Sequence, residues 1–299
     1  MANPLQRLSR SVHRAVTGTA IVVTAALLGP GAWPSGGVAG QTPASRTATT
    51  SEPQALHPGE ARIWYLGHCG FAVRTARHLL IFDYQERRDG PVPREHPADG
   101  GLDRGWIDPA EIRNDRVRVF VTHSHQDHFD PVVLERTSAA ADVQYFFGWS
   151  AMTADRTHHM LEGPRATSAA DGLEITTINS HHSGVPEVAF LVRVDGLVIY
   201  HNGDYQGAYE ADYPYLQKVA AGIDLAFVPG VSREGLRYTD QNRDLFERFR
   251  PKAVFPMHAE AGAQMYKEFA NAFRQRVPGL PVMIPERLGQ RFDYRGAGR

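Results

Sequence analysis

Three histidines and an aspartate fall within six positions, His123, His125, Asp127 and His128, directly after the apolar run Val117 to Val121. The run reads as a buried strand bounded by Arg116 and Thr122, so the polar cluster begins where the strand ends. Rigid scaffolds display reactive groups at such ends and in the loops that follow them. Imidazole with carboxylate is a donor set for zinc or a related first-row ion. His123 and His125, two apart on extended chain, point the same way, and Asp127 and His128 follow as the chain turns toward a helix at Pro131.

The elements that must position those donors are short strands with polar residues at their ends. Arg62 to Leu66, Gly70 to Thr75 and Leu79 to Phe82 read as strands; Gly67-His68-Cys69-Gly70 is a tight turn between the first two, and Asp83 ends the third. Residues 84–115 form a long segment rich in Arg, Asp, Gly and Pro. Trp106 within it either walls a substrate site or anchors the loop to the core. Pro131 to Thr137 reads as a helix with Asp130 as N-cap and Pro131 at its first position. Val143 to Phe147 is a strand, Trp149 to Met160 helical or looped, and Leu173 to Ile178 a strand leading into His181-His182. Adjacent residues on extended chain point oppositely, so those two histidines do not both face one ion. Val188 to Val194 and Leu197 to Tyr200 form a hairpin through Asp195-Gly196, and the second strand runs into His201-Asn202-Gly203-Asp204. Helix and strand then alternate: Tyr213 to Ala221 helical, Leu225 to Val228 a strand, Asp240 to Phe249 helical. Ala253 to Pro256 is a strand ending at Met257-His258, and Ala261 to Val277 has the spacing of an amphipathic helix.

The first forty residues are of another kind. Arg7, Arg10 and Arg14 precede an apolar and small-residue run, Ala15 to Leu28, with Gly29-Pro30 and then Val38-Ala39-Gly40 after it. This is the order of a secretory signal peptide over 1–40, and the run is short for a span of about 20 apolar residues. The expectation is an exported protein, secreted or periplasmic, with no stable membrane insertion after cleavage. Residues 41–60, rich in Thr, Ser, Pro and Ala, read as a flexible linker. Residues 61–295 are then long enough for one large domain. A formal net charge of −1 argues against an electrostatic grip on nucleic acid. The single cysteine, Cys69, excludes an internal disulfide framework and reads as a small buried residue.

The pattern His123-x-His125-x-Asp127-His128 after an apolar strand resembles the main motif of the metallo-β-lactamase-fold metallohydrolases. Asp83, the His181-His182 pair, Tyr200-His201-x-Gly203-Asp204 and His258 resemble that superfamily's other motifs, in its order. The resemblance implies an α/β fold, a four-layer α-β-β-α sandwich with the site at one edge of two packed sheets. It implies two ions, zinc first with manganese or iron also suited: His123, His125 and His182 (or His181) around one, Asp127, His128 and His258 around the other, and Asp204 between them. Asp83 would support the metal loop by hydrogen bonds, and His201 would lie in the core or behind the ligands. The implied reaction is hydrolysis by a hydroxide held between the ions, with Asp127 orienting it or taking its proton. The Gly67-His68-Cys69-Gly70 turn resembles the branch holding L-ascorbate-6-phosphate lactonase and the N-acyl-phosphatidylethanolamine phospholipases, where His68 either serves catalysis or is structural. The expected small-molecule substrate is accordingly a lactone or similar ester or cyclic amide. The alternatives are a phosphodiesterase of phospholipase type and a non-catalytic, metal-stabilised binding protein.

Overall fold

The computed structural model describes residues 55–86, 97–151, 157–230, 239–259 and 262–296. The leader, and the linker up to residue 54, lie outside the described residues. The described residues begin with β1 (Glu60–Gly67), β2 (Gly70–Arg74) and β3 (Leu79–Phe82), then a 3-10 turn at Leu102–Arg104 and β4 (Arg116–Val121). There follow α1 (Val132–Thr137), β5 (Asp142–Phe147), β6 (His158–Met160), β7 (Thr167–Ala170), β8 (Leu173–His182), β9 (Val185–Val194) and β10 (Leu197–His201). The remaining elements are α2 (Tyr209–Val219), β11 (Leu225–Pro229), α3 (Thr239–Phe249), β12 (Ala253–Met257), α4 (Gln264–Arg276) and β13 (Arg291–Arg295).

The strands form two sheets, ordered β13-β1-β2-β3-β4-β5-β6 and β12-β11-β10-β9-β8-β7. Each has an antiparallel and a parallel part: β3 to β6 run parallel in one, and β10 to β12 in the other. Strand alternation divides the apolar residues between layers. In β4, Phe120 points into the core between the sheets with Phe82, Phe146, Phe190 and Phe227, whereas Val117, Val119 and Val121 point outward to meet Val133 of α1. On the far face, Tyr213, Leu245, Phe246, Phe269 and Phe273 of α2, α3 and α4 cover Ala226, Val228 and Val254. Helix, sheet, sheet and helix therefore stack in four layers around three apolar interfaces, each fully buried Phe adding about 1.5–3 kcal/mol. Among the described residues no helix is long and apolar enough to cross a membrane.

Several local expectations change. Residues 158–160, read as helix or loop, form β6, whose His158 and His159 rings stack on Tyr145 and Phe146 of the neighbouring strand. Strand β8 runs through His182 instead of ending at Ile178, because β9 pairs with it down to Val185. Helix α2 starts a turn earlier than Tyr213, and α4 starts at Gln264 rather than Ala261. Helix α1 starts at Val132, although the Asp130 carboxylate still accepts the Val132 N–H at 3.1 Å. The polar strand β7 and the edge strand β13 carry no apolar run that the sequence could betray.

Candidate metal centre

All the candidate residues gather at one end of the sandwich, where β1, β3 and β4 of one sheet and β8, β10 and β12 of the other release the chain. The nitrogens of His123, His125 and His182 form one group of donors, and His68, Asp127, His128 and His258 form a second; within each, all donor atoms lie within 4.8 Å of one another. His181, the other member of the adjacent pair, is exposed and outside both groups. Asp204 stands between them: its Oδ2 is 3.4 Å from His182 Nε2, 3.0 Å from His258 Nε2 and 3.6 Å from His128 Nε2.

The local backbone is built for this convergence. Of seven non-glycine residues with left-handed φ among the described residues, four sit here: His68, Asp83, Ser183 and His258. Such positions persist where the surroundings over-determine them and cluster at functional sites. Gly203 has φ +55, and a Cβ on it would lie 2.7 Å from Thr122 Cβ, so only glycine lets the Asp204 loop close on the metal loop.

Buried carboxylates hold the donors from beneath. Asp83 accepts the Thr122 N–H at 2.8 Å, the Thr122 hydroxyl at 2.7 Å and His128 Nδ1–H at 2.7 Å. The Thr122 oxygen, its own proton committed to Asp83, is free to accept His123 Nδ1–H at 3.1 Å. Both imidazoles are thereby fixed with Nε2 turned to the cluster, the arrangement that orients ligating histidines. His123 Nε2 accordingly faces His125 Nδ1 at 2.9 Å. Glu187, which sequence reasoning missed, is fully buried, accepts the Asp204 N–H at 2.6 Å and Ser180 Oγ–H at 3.1 Å, and lies 3.5 Å from His123 Nδ1. It joins the two ligand loops. Its signal was a charged residue against the apolar run Val188 to Val194, obscured by Gly184 and Pro186.

Burial, followed by the charge of His128, pushes the His123 imidazole down to about 3, and burial also lowers His182. Both stay neutral, the form that binds metal. Burial and then the Asp204 charge push Glu187 up to about 8. Burial alone would raise the Asp127 carboxyl, but contact with His68 and the charge of His128 hold it well below the usual carboxylate range. Burial pushes the Cys69 thiol up to about 12, which leaves it an inert core group. His201 is also core, stacked on Phe82 with Nε2 donating to the Cys69 carbonyl at 3.0 Å. Trp106 is 7 % exposed and so anchors its loop, leaving little face to wall a substrate.

Whether a metal fits is decided by the atoms left over. Asp204 Oδ1 and His128 Nε2 are buried with no hydrogen-bond partner in a structure whose other site carboxylates are well supplied, and such orphans are costly unless a cation completes them. Two donors bound tetrahedrally at about 2.0–2.1 Å stand about 3.3–3.4 Å apart. The Asp204–histidine distances of 3.0–3.6 Å bracket that spacing.

With this histidine and aspartate cluster at the strand ends of a two-sheet sandwich, and with relatives of that description, the chain is a metal-dependent hydrolase. The family described as beta-lactamase superfamily domain matches residues 62–258, and the chain belongs to this metallo-β-lactamase-fold superfamily. It is 30% identical over 248 residues to a UPF0173 metal-dependent hydrolase of Opitutus terrae, covering 75% of this chain and 97% of that one. It is 26% identical over 213 residues to another of that name from Thermococcus kodakarensis, covering 66% and 84%. The fold is shared with Igni18, a metallo hydrolase of Ignicoccus hospitalis, at a TM-score of 0.52 and 17% identity over 79% of this chain and 99% of that chain. It is shared also with CmlA, a diiron β-hydroxylase of Streptomyces venezuelae, at a TM-score of 0.52 and 14% identity, over 82% and 55%.

Proposed function

We propose that this metal-dependent hydrolase works with two zinc ions, on a lactone or a similar ester or cyclic amide, after export from the cell. The observation that carries the two-ion reading is Asp204: one oxygen touches both donor groups and the other is buried without a partner. The histidine-rich donor set suits zinc, with manganese or iron as substitutes. Such a pair of ions supplies an acidified water and a Lewis acid for the substrate's carbonyl oxygen. His123, His125 and His182 would hold one ion, and Asp127, His128 and His258 the other.

The chain's own groups supply the rest. Asp127, its side chain 43% exposed at the mouth of the cluster, stays ionised, so its carboxylate orients the attacking water as a hydrogen-bond acceptor. Asp83 and Glu187 keep the imidazoles and the Asp204 loop in register beneath it. The lactone preference is supported by the Gly67-His68-Cys69-Gly70 turn and the Tyr200 to Asp204 segment, and export by the Arg7 to Leu28 pattern.

Metal content of the purified protein, alongside His125→Ala and turnover against lactones, phosphodiesters and β-lactams, tests the reading. The expected result is two equivalents of zinc, lactone turnover, and a loss of at least about 100-fold in the variant, since even residues that only support ligands are worth 10–100-fold. Folded protein that takes up no metal on zinc reconstitution would overturn it. Turnover confined to phosphodiesters would replace the substrate class alone.

A further inference from the structure

His68 occupies a conformation that its neighbours enforce. Its backbone is left-handed, φ 50, which costs a residue with a β-carbon about 1–2 kcal/mol. A bridge to Ala259 and the His258 N–H, donated to the His68 carbonyl at 3.3 Å, hold it there. The effect is to turn the ring inward, with 17% of the side chain exposed, 4.6 Å from the His258 ring and 5.8 Å from that of His128. Nε2 is buried without a hydrogen-bond partner and lies 3.3 Å from Asp127 Oδ2.

That distance discriminates between two roles. An imidazole N–H donated to a carboxylate sits at about 2.7–2.9 Å. Two donors held by one ion at about 2.0–2.1 Å, as in a five-coordinate site, sit about 2.9–3.6 Å apart at angles of about 90–120°. The His68–Asp127 distance is of the second kind and falls within the range that Asp204 keeps from His258, His182 and His128.

We infer that His68 Nε2 is a ligand of the second ion, beside Asp127, His128 and His258; this rests on the two-ion reading above. The second position then has four side chains of its own in addition to its share of Asp204, against three imidazoles at the first. The two positions are unequal, and the more open one is that of His123, His125 and His182.

The test compares wild type, His68→Asn and His181→Asn in the full chain, with zinc competed by a chelator and cobalt(II) followed by absorption. Asparagine tolerates the left-handed backbone, so the fold is retained. The expected result is two equivalents in wild type and His181→Asn. In His68→Asn the first equivalent binds unchanged and the second at least about 100-fold more weakly, with its cobalt bands altered. A His68→Asn protein that binds both equivalents with wild-type affinity and bands overturns the inference and leaves the two-ion reading standing. Wild type that takes up fewer than two equivalents overturns that reading and the inference with it. If the variant fails to fold, the imidazole 15N resonances of wild type decide: a His68 signal that shifts with His258 at the second equivalent supports ligation, and one that stays unmoved overturns it.

Discussion

Glu187 and Asp83 touch no solvent, yet each fixes a ligand, and their removal separates support from coordination. Glu187→Gln keeps the shape while exchanging one acceptor oxygen for an amide. It is expected to weaken metal binding by about 10–100-fold with little loss of fold, read by chelator competition beside thermal unfolding. Gly203→Ala acts from above: its methyl would meet Thr122, the residue that Asp83 and His123 share. It should lower metal uptake at least about tenfold and cost about 1–3 kcal/mol through the forced shift. Unchanged stoichiometry and stability would show that the two loops need no such closeness. At this scale the sequence was legible wherever a donor closely followed an apolar run, as His123, Asp204 and His258 do. Glu187 and Thr122 were hidden because their task is to support other residues, which no spacing announces.

At the scale of elements, the Asp195-Gly196 turn was read from the sequence, and both residues take positive φ, as the turn requires. Its side chain does more than turn the chain. Asp195 accepts from Thr75 Oγ1 at 2.7 Å, Arg77 N–H at 2.9 Å, Arg77 Nε–H at 2.6 Å and His78 Nδ1–H at 3.0 Å, tying the β9–β10 hairpin to the β2–β3 hairpin of the other sheet. Burial opposes this charge, but those hydrogen bonds bring the carboxyl down from its ordinary 3.8 to about 2. A carboxyl depressed in the folded state contributes stability above its unfolded value and loses it as the pH falls through the folded one. Asp195→Asn should therefore cost about 2 kcal/mol near neutral pH, with the gap from wild type closing between about pH 4 and pH 2 in denaturant melts. A gap independent of pH would mean that shape, not charge, holds the hairpins. Long apolar strands such as β4 and β9 were legible in the sequence. The weakly patterned β6, β7 and β13 are held by pairing with strands far from them in sequence, which no local reading contains.

Across the whole molecule, the two sheets are joined at both ends by polar groups. Opposite the metal centre, the fully buried Arg118 of β4 reaches Asp142 at 2.8 Å and also Asp171 in the β7–β8 turn, while the half-buried Arg116 holds the same two aspartates. Arg118→Met should change stability little, because the carboxylates it leaves, partly exposed and still paired with Arg116, are not stranded. Removing Asp142 and Asp171 together strands the buried cation and should cost about 3–5 kcal/mol; the reverse order of these two effects would refute the scheme. At the other end, metal that binds the folded state alone should stabilise it by about 2.7 kcal/mol at 100-fold excess over its Kd. At about 2–4 °C per kcal/mol, chelation should lower the melting temperature by about 5–10 °C. The direction of β1 sets a further relation between these two ends. The described chain enters at Glu60 beside the Asp195 turn, since the Gly59 N–H donates to the Asp195 carbonyl, and reaches His68 one strand later, about 25 Å away. A protein immobilised through His57, beside that turn, would thus be grafted by its base, with its metal-binding face open to the medium.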